Sequence, residues 1–230
     1  TADCTADKTC LPLEGERVLY SLPFSAYIKI AEGCDNRCSY CAIPSIRGGF
    51  RSRPMENIIE EAKSLAAQGV EELIVVAQDT TAYGIDLYGY YALPELIKGI
   101  CDATKIPWIR LLYCYPDRVT DELLDVMAAQ PKIVKYMDIP LQHCSEPVLK
   151  AMNRHYDRET YLDEVRRRRE LIPDIVLTSD VIVGFPGETE EEFQETVDFC
   201  KAVGFSRLHV FPFSPREGTP AAVMEGQLSE

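Results

Sequence analysis

The sequence predicts an α/β domain that is an open, partial TIM-type barrel of six β/α units. A complete TIM barrel has eight such units. From Tyr27 onward, strand and helix patterns alternate, which is typical of a parallel sheet with crossover helices. The run 72–77 is almost entirely apolar, as expected for a strand covered on both faces. Cysteines and polar residues follow several strands, at the rim where such barrels place their chemistry.

The first half of the chain predicts three strands and two helices. Pro54 suits the first position of a helix, and Gly69 suits the position just past its end. Apolar residues between them recur at spacings of three and four, which indicates one buried helix face. The predicted strands are 27–31, 72–77 and about 108–113, and the predicted helices are 54–68 and about 93–103.

The second half predicts three further strands. Thr120 suits an N-cap because two acidic residues follow it in the first turn. Thr189 and Glu192 have the spacing of a capping box, and Gly204 suits the end of that helix. The predicted strands are 136–139, 175–183 and 207–211, with one or two helices over 146–171 and loop after Phe213.

Composition limits the classes of partner. The 230 residues carry a net charge of −13, so general binding to a phosphate backbone is not expected and a nucleic-acid partner is unlikely on charge. Two basic groups stand out: a local patch at Arg47, Arg51 and Arg53, just after the cysteines, and the run 166–169, which we interpret as a solvated helix face. No apolar stretch approaches the about 20 residues of a membrane span.

Nine cysteines without a secretory signal indicate a reducing compartment, here the cytoplasm. Because the chain does not begin with Met, we expect a piece of a longer protein, with residues 1–26 as a lead-in and 27–215 as the core. Cys101 and Cys200 are expected to be small buried residues. Two others, Cys114 and Cys144, follow strands and could approach the rim, whereas no function is assigned to Cys4 and Cys10.

The strongest chemical pattern is the segment E-G-C-D-N-R-C-S-Y-C, which places Cys34, Cys38 and Cys41 directly after the first strand. Three thiolates can hold three corners of a [4Fe-4S] cluster that usually takes four, which leaves one iron open to a ligand. Zinc is the alternative, but only the last two cysteines have zinc-like spacing and no histidine follows nearby. Gly33, with Asp35 and Asn36, is expected to permit the tight turns of this loop.

Other rim residues have two possible roles each. Gln78 and Asp79 follow the second strand and could contact a ligand, although Asp79 could instead cap a turn. Gln142 ends the fourth strand segment. Asp180 lies inside an apolar strand, so we expect it either to bind a ligand or to anchor a neighbouring arginine. The Gly184-x-x-Gly187 turn could bring backbone close to a cofactor or could simply be a tight turn.

The cysteine spacing after a first strand resembles the signature of the radical S-adenosylmethionine (SAM) superfamily. Within it, four segments resemble the methylthiotransferases: 28–54, 138–143, 152–156 and 180–189. The segment A-Q-D-T-T-A-Y-G-I-D-L-Y at 77–88 resembles the branch that modifies an aspartate of the twelfth small-subunit ribosomal protein. The tRNA-modifying branch typically has Gln-Asn-Val-Asn where this chain has residues 78–81.

The resemblance implies a mechanism and a set of partners. The three cysteines would hold the [4Fe-4S] cluster, and SAM would serve as radical source and as methyl donor. Tyr40 would lie beside the adenine, or it would be an ordinary packing aromatic. Gln78 and Asp79 would contact the methionine amine, with Gln142, Asp180 and Gly184 as further cofactor-binding residues. The radical would abstract hydrogen from the aspartate β-carbon, and a second cluster would supply the sulfur.

The sequence departs from that family in length. Complete members carry an N-terminal domain with three more cysteines for the second cluster and a C-terminal TRAM domain. We therefore expect a catalytic core, with 216–230 as the start of a linker to the TRAM domain, which cleaves SAM but does not complete methylthiolation alone. Expected partners are the ribosomal protein and an electron donor such as a flavodoxin. A tRNA-modifying relative and a non-enzymatic metal-binding domain are the alternatives.

Overall fold

Strands and helices alternate along residues 22–228, which the computed structural model of the chain describes. The strands are β1 (Ser25–Lys29), β2 (Ala31–Glu32), β3 (Arg51–Ser52), β4 (Glu72–Val76), β5 (Trp108–Leu111), β6 (Tyr136–Asp138), β7 (Val176–Val183) and β8 (Arg207–Pro212). The helices are α1 (Ile43–Arg47), α2 (Met55–Ala67), α3 (Leu93–Ala103), α4 (Asp121–Ala129), α5 (Glu146–Ala151), α6 (Arg158–Leu171) and α7 (Glu190–Val203). Among these described helices, none is long and apolar enough to cross a membrane.

Six of the strands form two parallel sheets in the orders β1-β4-β5 and β6-β7-β8. A parallel bridge between Ile109 and Ile133 joins them, and the amide of Cys114 donates to the carbonyl of Asp138 at 3.2 Å. No ladder among the described residues connects β8 back to β1. The predicted fold class, an open six-stranded partial barrel, is therefore confirmed.

The helix ends follow the predicted capping chemistry. The hydroxyl of Thr120 accepts from the Leu123 amide, and Thr189 forms the predicted capping box with Glu192. Gly204 ends α7 in the left-handed conformation, with φ +66°. Pro54 is the N-cap of α2 and not its first helical residue, so that helix runs over Met55–Ala67.

The prediction of one strand over 27–31 was wrong at both ends. Strand β1 begins at Ser25, and Ala31 belongs to the separate β2, which pairs antiparallel with β3. After Ile30 the chain no longer pairs with β4, because the carbonyl of Ile30 accepts from the amide of Arg53 at 2.9 Å. This short ladder closes the base of the segment 33–50. That segment contains the three cysteines and helix α1, which the sequence did not predict.

The end of the described chain packs onto the rest of the molecule. Within 216–230, which the sequence predicts to be the start of a linker, Ala221 is completely buried against Val148, Met152 and Phe185. Its amide donates to the carbonyl of Ser39 at 2.9 Å. Ala221 therefore packs against the cysteine loop, whereas the Gly226 carbonyl accepts from the Gly187 amide at 2.9 Å. Residues 1–21, with Cys4 and Cys10, lie outside the described residues, as do 229 and 230.

Each of the two basic groups contains one buried arginine, whereas Arg47 and Arg166 are exposed. Arg53 is 4 % exposed and pairs with Glu61 at 2.7 Å, and Arg47 lies 3.8 Å from a Glu32 oxygen. In the run 166–169, Arg168 is completely buried and donates to the Pro116 carbonyl at 2.8 Å. A buried guanidinium that binds a backbone carbonyl joins α6 to the turn after β5, so the solvated-face interpretation was wrong for this residue.

We predict that Arg168→Met lowers the free energy of unfolding by about 2–4 kcal/mol, because it leaves the Pro116 carbonyl buried without a donor. The control is Arg166→Met, whose side chain is 64 % exposed and which should cost no more than about 0.5 kcal/mol. Urea unfolding measures both. Equal losses in the two variants would show that the buried contact contributes nothing specific.

Candidate active site

A cavity of about 370 Å³ opens at the carboxyl ends of the strands, and all three predicted cluster cysteines line it. The remaining lining residues come from the cysteine loop itself and the start of α1, from loops after β4, β5, β6 and α5, and from strand β7. They include Asn36, Tyr40, Gln78, Tyr113, Cys114, Tyr115, Gln142, Arg154 and Asp180. Cys34, Cys38 and Cys41 are thus brought together in one cavity, as expected.

Gly33 fixes the start of the cysteine loop. Its φ is +77°, and a Cβ at this position would lie 2.1 Å from the Gly49 carbonyl oxygen and 2.7 Å from that of Gly48. The amide of Cys34 donates to the Gly48 carbonyl at 3.3 Å. Only glycine permits this approach. The predicted role of Gly33 is confirmed.

The left-handed residue inside the loop is Arg37, with φ +50°, and not Asp35 or Asn36 as the sequence suggested. The other described non-glycine residues with positive φ are Tyr113, Gln142 and Asn153. Two of these line the cavity, and the third contacts the cysteine loop. Unfavourable backbone conformations are thus concentrated around one site, as is common where function requires a fixed geometry.

The turn that follows α5 holds the other side of the loop. The Ser39 amide donates to the Met152 carbonyl at 3.0 Å, and the Asn153 side chain donates to the Arg37 carbonyl at 2.9 Å. The guanidinium of Arg154 donates to the Cys38 sulfur at 3.5 Å. Segments more than a hundred residues apart in sequence therefore position the three thiols.

The thiols are poised to bind metal only at the cost of releasing protons. The pKa of the Cys34 thiol is raised to about 11, chiefly by burial and to a smaller extent by the nearby Asp79, Cys38 and Cys41. Burial also raises the pKa of Cys41. Because ligands must be deprotonated, we expect metal incorporation here to be favoured by rising pH.

The described residues hold no group of three Cys, His, Asp or Glu side chains placed around a single ion. Zinc needs four ligands at about 2.0–2.3 Å from one centre.

Gln78 and Asp79 have different environments. The Gln78 side chain lines the cavity, and its buried Oε1 accepts no hydrogen bond from any described residue. An unpaired buried acceptor is costly, so this oxygen fits a ligand donor such as an ammonium group. Asp79 is 2 % exposed and does not line this cavity.

The structure supports the capping alternative for Asp79. Its Oδ1 accepts from the Thr81 hydroxyl at 2.6 Å and from the Ala82 amide at 3.2 Å. Its Oδ2 accepts from Asn36 at 3.1 Å and also pairs with Arg118. With both oxygens occupied, Asp79 ties the cysteine loop to the turn after β4, and the expected contact with a ligand is not supported.

Gln142 and Asp180 lie side by side at the cavity wall. The Gln142 amide donates to the Asp180 carbonyl at 2.8 Å, and the Gln142 carbonyl accepts from the Ile182 amide at 2.9 Å. The Asp180 carboxylate lies 3.1 Å from His209 Nδ1, so its protein partner is a histidine and not the arginine that the sequence left open. His209 had no sequence signal beyond its place on the last strand.

Tyr40 lines the cavity and also packs against the small apolar cluster of Val148, Met152, Phe185 and Ala221, so both of its predicted roles remain open. Gly184 has φ +74° but is not among the cavity-lining residues. Cys114 lines the cavity, as one alternative allowed, whereas Cys144 does not. Cys101 is buried as expected, and Cys200 is only partly buried.

A second cavity of about 250 Å³ shares Tyr40, Gln142 and Asp180 with the first and extends along Phe211 and Arg216. A reactant in it would lie directly beside a ligand in the first cavity. The sequence did not predict this second space, because residues on β7, β8 and the following loop form it only when the barrel is assembled.

The chain belongs to the radical SAM superfamily, whose family model matches residues 28–200. It is 52% identical over 212 residues to ribosomal protein uS12 methylthiotransferase RimO of Desulforamulus reducens. It is 55% identical over 214 residues to the protein of the same name from Pelotomaculum thermopropionicum. The alignments cover 92% and 93% of this chain but only 48% of each relative, so the chain spans about half their length. The predicted resemblance is confirmed.

Solved structures show the same fold. The radical SAM methyltransferase TsrM from Kitasatospora setae superposes with a TM-score of 0.71 at 23% identity, over 86% of this chain and 38% of that one. The coproporphyrinogen III oxidase HemN from Escherichia coli superposes with a TM-score of 0.61 at 20% identity, over 85% of this chain and 45% of that one. The superfamily implies a [4Fe-4S] cluster and SAM as cofactors.

We predict that Gly33→Ala is more damaging than Gly69→Ala. Both glycines have positive φ, but a Cβ at Gly69 meets nothing within 4 Å. The control should lose about 1–2 kcal/mol of unfolding free energy from backbone strain alone. Gly33→Ala should lose a further 1–3 kcal/mol or so, because the 48–49 backbone must move. Urea unfolding distinguishes them, and equal losses would contradict the close approach.

Proposed function

We propose that this chain is the catalytic core of a radical SAM methylthiotransferase that modifies an aspartate of ribosomal protein uS12. The observation that carries the proposal is the cavity at the barrel rim, in which Cys34, Cys38 and Cys41 lie together with the unpaired Gln78 acceptor. We propose uS12 as the acceptor because the two relatives from Desulforamulus reducens and Pelotomaculum thermopropionicum are named uS12 methylthiotransferases.

The residues fit the cofactors that the superfamily implies. Cys34, Cys38 and Cys41 would hold three irons of a [4Fe-4S] cluster and leave the fourth open. When bound, the cluster supplies the electron that cleaves SAM into methionine and a 5′-deoxyadenosyl radical. Gln78 Oε1 would accept from the methionine ammonium, and Tyr40 would lie against the adenine. Asp79 would act indirectly, since it binds Asn36 inside the cysteine loop.

The acceptor would enter through the second cavity. Tyr40, Gln142 and Asp180 form the wall that the two cavities share, so they would place the aspartate β-carbon beside the radical. Gly184 would act through the turn that follows β7 and not by direct contact, because it lies outside both linings.

Complete methylthiolation is proposed for a protein of the relatives' full length. There a second [4Fe-4S] cluster would supply the sulfur, SAM would supply the methyl group, and a flavodoxin-type protein would supply electrons. The cytoplasm is the proposed location, because both the substrate and the reducing conditions that preserve free thiols are found there.

The first test is cofactor cleavage. After anaerobic reconstitution with iron and sulfide, followed by chemical reduction, the chain should convert SAM into 5′-deoxyadenosine. Replacing Cys34, Cys38 or Cys41 with Ala should reduce the amount of 5′-deoxyadenosine by more than about 100-fold. Losses up to about that size are typical when a residue that only supports a metal ligand is replaced. The control Cys101→Ala, on the buried face of α3, should remain active. Chromatography with mass detection measures the product; activity in the cysteine variants would refute the ligand assignment.

The second test concerns the acceptor. A protein of the relatives' length that contains this chain should be incubated with SAM, reductant and either uS12 or tRNA. We expect a methylthio group on an aspartate of uS12, detected by peptide mass spectrometry, and none on tRNA nucleosides. A methylthio-adenosine product would instead assign the chain to the tRNA-modifying branch while leaving the radical chemistry intact.

A further inference from the structure

Arg154 is a buried cation that forms no ion pair with a carboxylate of residues 22–228. Its side chain follows α5, is 9 % exposed, and lines the cavity beside the three cysteines. Its Nε donates to the Tyr156 hydroxyl at 3.0 Å and its Nη2 donates to the Pro140 carbonyl at 2.9 Å. The four groups that act most strongly on its charge are Tyr156, Tyr40, Cys38 and Tyr115, and none of these is a carboxylate.

A guanidinium remains charged at all ordinary pH values, and an uncompensated buried charge is unfavourable. The groups that act most strongly on Arg154 are three tyrosines and Cys38, and the Cys38 sulfur accepts from Nη1 at 3.5 Å. Three cluster-ligating thiolates would provide the missing negative charge. The burial of this cation is therefore explained by a charged group in the cysteine loop.

The guanidinium is held rigidly in place. Its Cζ lies 4.5 Å from the centre of the Tyr115 ring and 5.2 Å from that of Tyr156. These two rings meet edge to face, with centroids 6.2 Å apart. Together with the hydrogen bonds to Tyr156 and Pro140, they fix the direction in which Nη1 points.

We propose that Arg154 is a positioning residue that raises the reduction potential of the cluster on Cys34, Cys38 and Cys41. This inference rests on the proposed function, because it requires that cluster. Reduction adds one electron and thus one negative charge to the site. A fixed cation and an N–H···S bond to a ligand sulfur both stabilise the more negative state, and such contacts are known to set cluster potentials.

The test is a redox titration of the reconstituted chain, followed by the electron paramagnetic resonance of the reduced cluster. Arg154→Gln should lower the ratio of reduced to oxidised cluster at a fixed potential by at least tenfold, which for one electron is about 59 mV. Arg154→Lys keeps the positive charge but loses the rigid, planar set of N–H donors. Its reduction potential should therefore lie between that of the Gln variant and that of the unchanged chain.

The control is Arg158→Gln, the same chemical change at an exposed position on the first turn of α6. It alters the net charge equally and should leave the potential unchanged. A Gln variant that matches this control in potential would overturn the inference.

Iron content and urea unfolding of each variant separate electrostatics from folding. If the Gln variant loses the cluster while the Lys variant keeps it, the requirement for a cation at this position is supported. Equal loss from both variants would contradict it, because the charge alone would then not matter. If the unchanged chain takes up no cluster, the proposed function fails together with this inference; if the cluster forms but its potential is insensitive to Arg154, only the inference fails.

Discussion

The whole site depends on how the cysteine loop is held between two distant pieces of backbone. On one side, the α-carbon of Gly33 lies so close to the carbonyls of Gly48 and Gly49 that no side chain fits there. On the other side, the turn after α5 binds the loop through Ser39 and Arg37. Both contacts are made by the backbone of the loop, so the thiol side chains remain available to line the cavity.

This support also explains why the strained residues are found where they are. Arg37, Tyr113 and Gln142 adopt conformations that side chains normally avoid, and each belongs to the loop or to the cavity. Hydrogen bonds offset the strain: the Tyr113 amide donates to Asp138 at 2.5 Å, and both backbone groups of Gln142 bond to β7. The Asp138 carboxyl that accepts from Tyr113 is itself largely removed from water, which raises its pKa to about 6.

Much of the fold could be predicted from local patterns, because hydrophobic periodicity and capping residues depend on neighbours in sequence. The six parallel strands and the capping box at Thr189 are examples. The two-residue ladder of β2 with β3 has no such pattern. It forms because the Arg53 amide donates to the Ile30 carbonyl, which would otherwise be available to extend the pairing of β1 with β4.

The chemistry at the strand ends was only partly predictable for a related reason. The spacing of the cysteines is local, and the structure brings all three to one cavity. The partners of charged residues depend on tertiary contacts. Asp79 binds Arg118 from the next loop, Arg168 binds a carbonyl 52 residues away, and Arg154 reaches Cys38 across 116 residues. Residue type and spacing alone did not indicate any of these three pairs.

The most direct measurement of the central claim is Mössbauer spectroscopy of the chain reconstituted with iron-57, recorded with and without SAM. A cluster held by three thiolates has one iron that differs from the other three in its ligands. We expect four irons per chain and a change at a single iron when SAM is added. Four irons that remain equivalent in the presence of SAM, or a chain that retains zinc and no iron, would contradict the account.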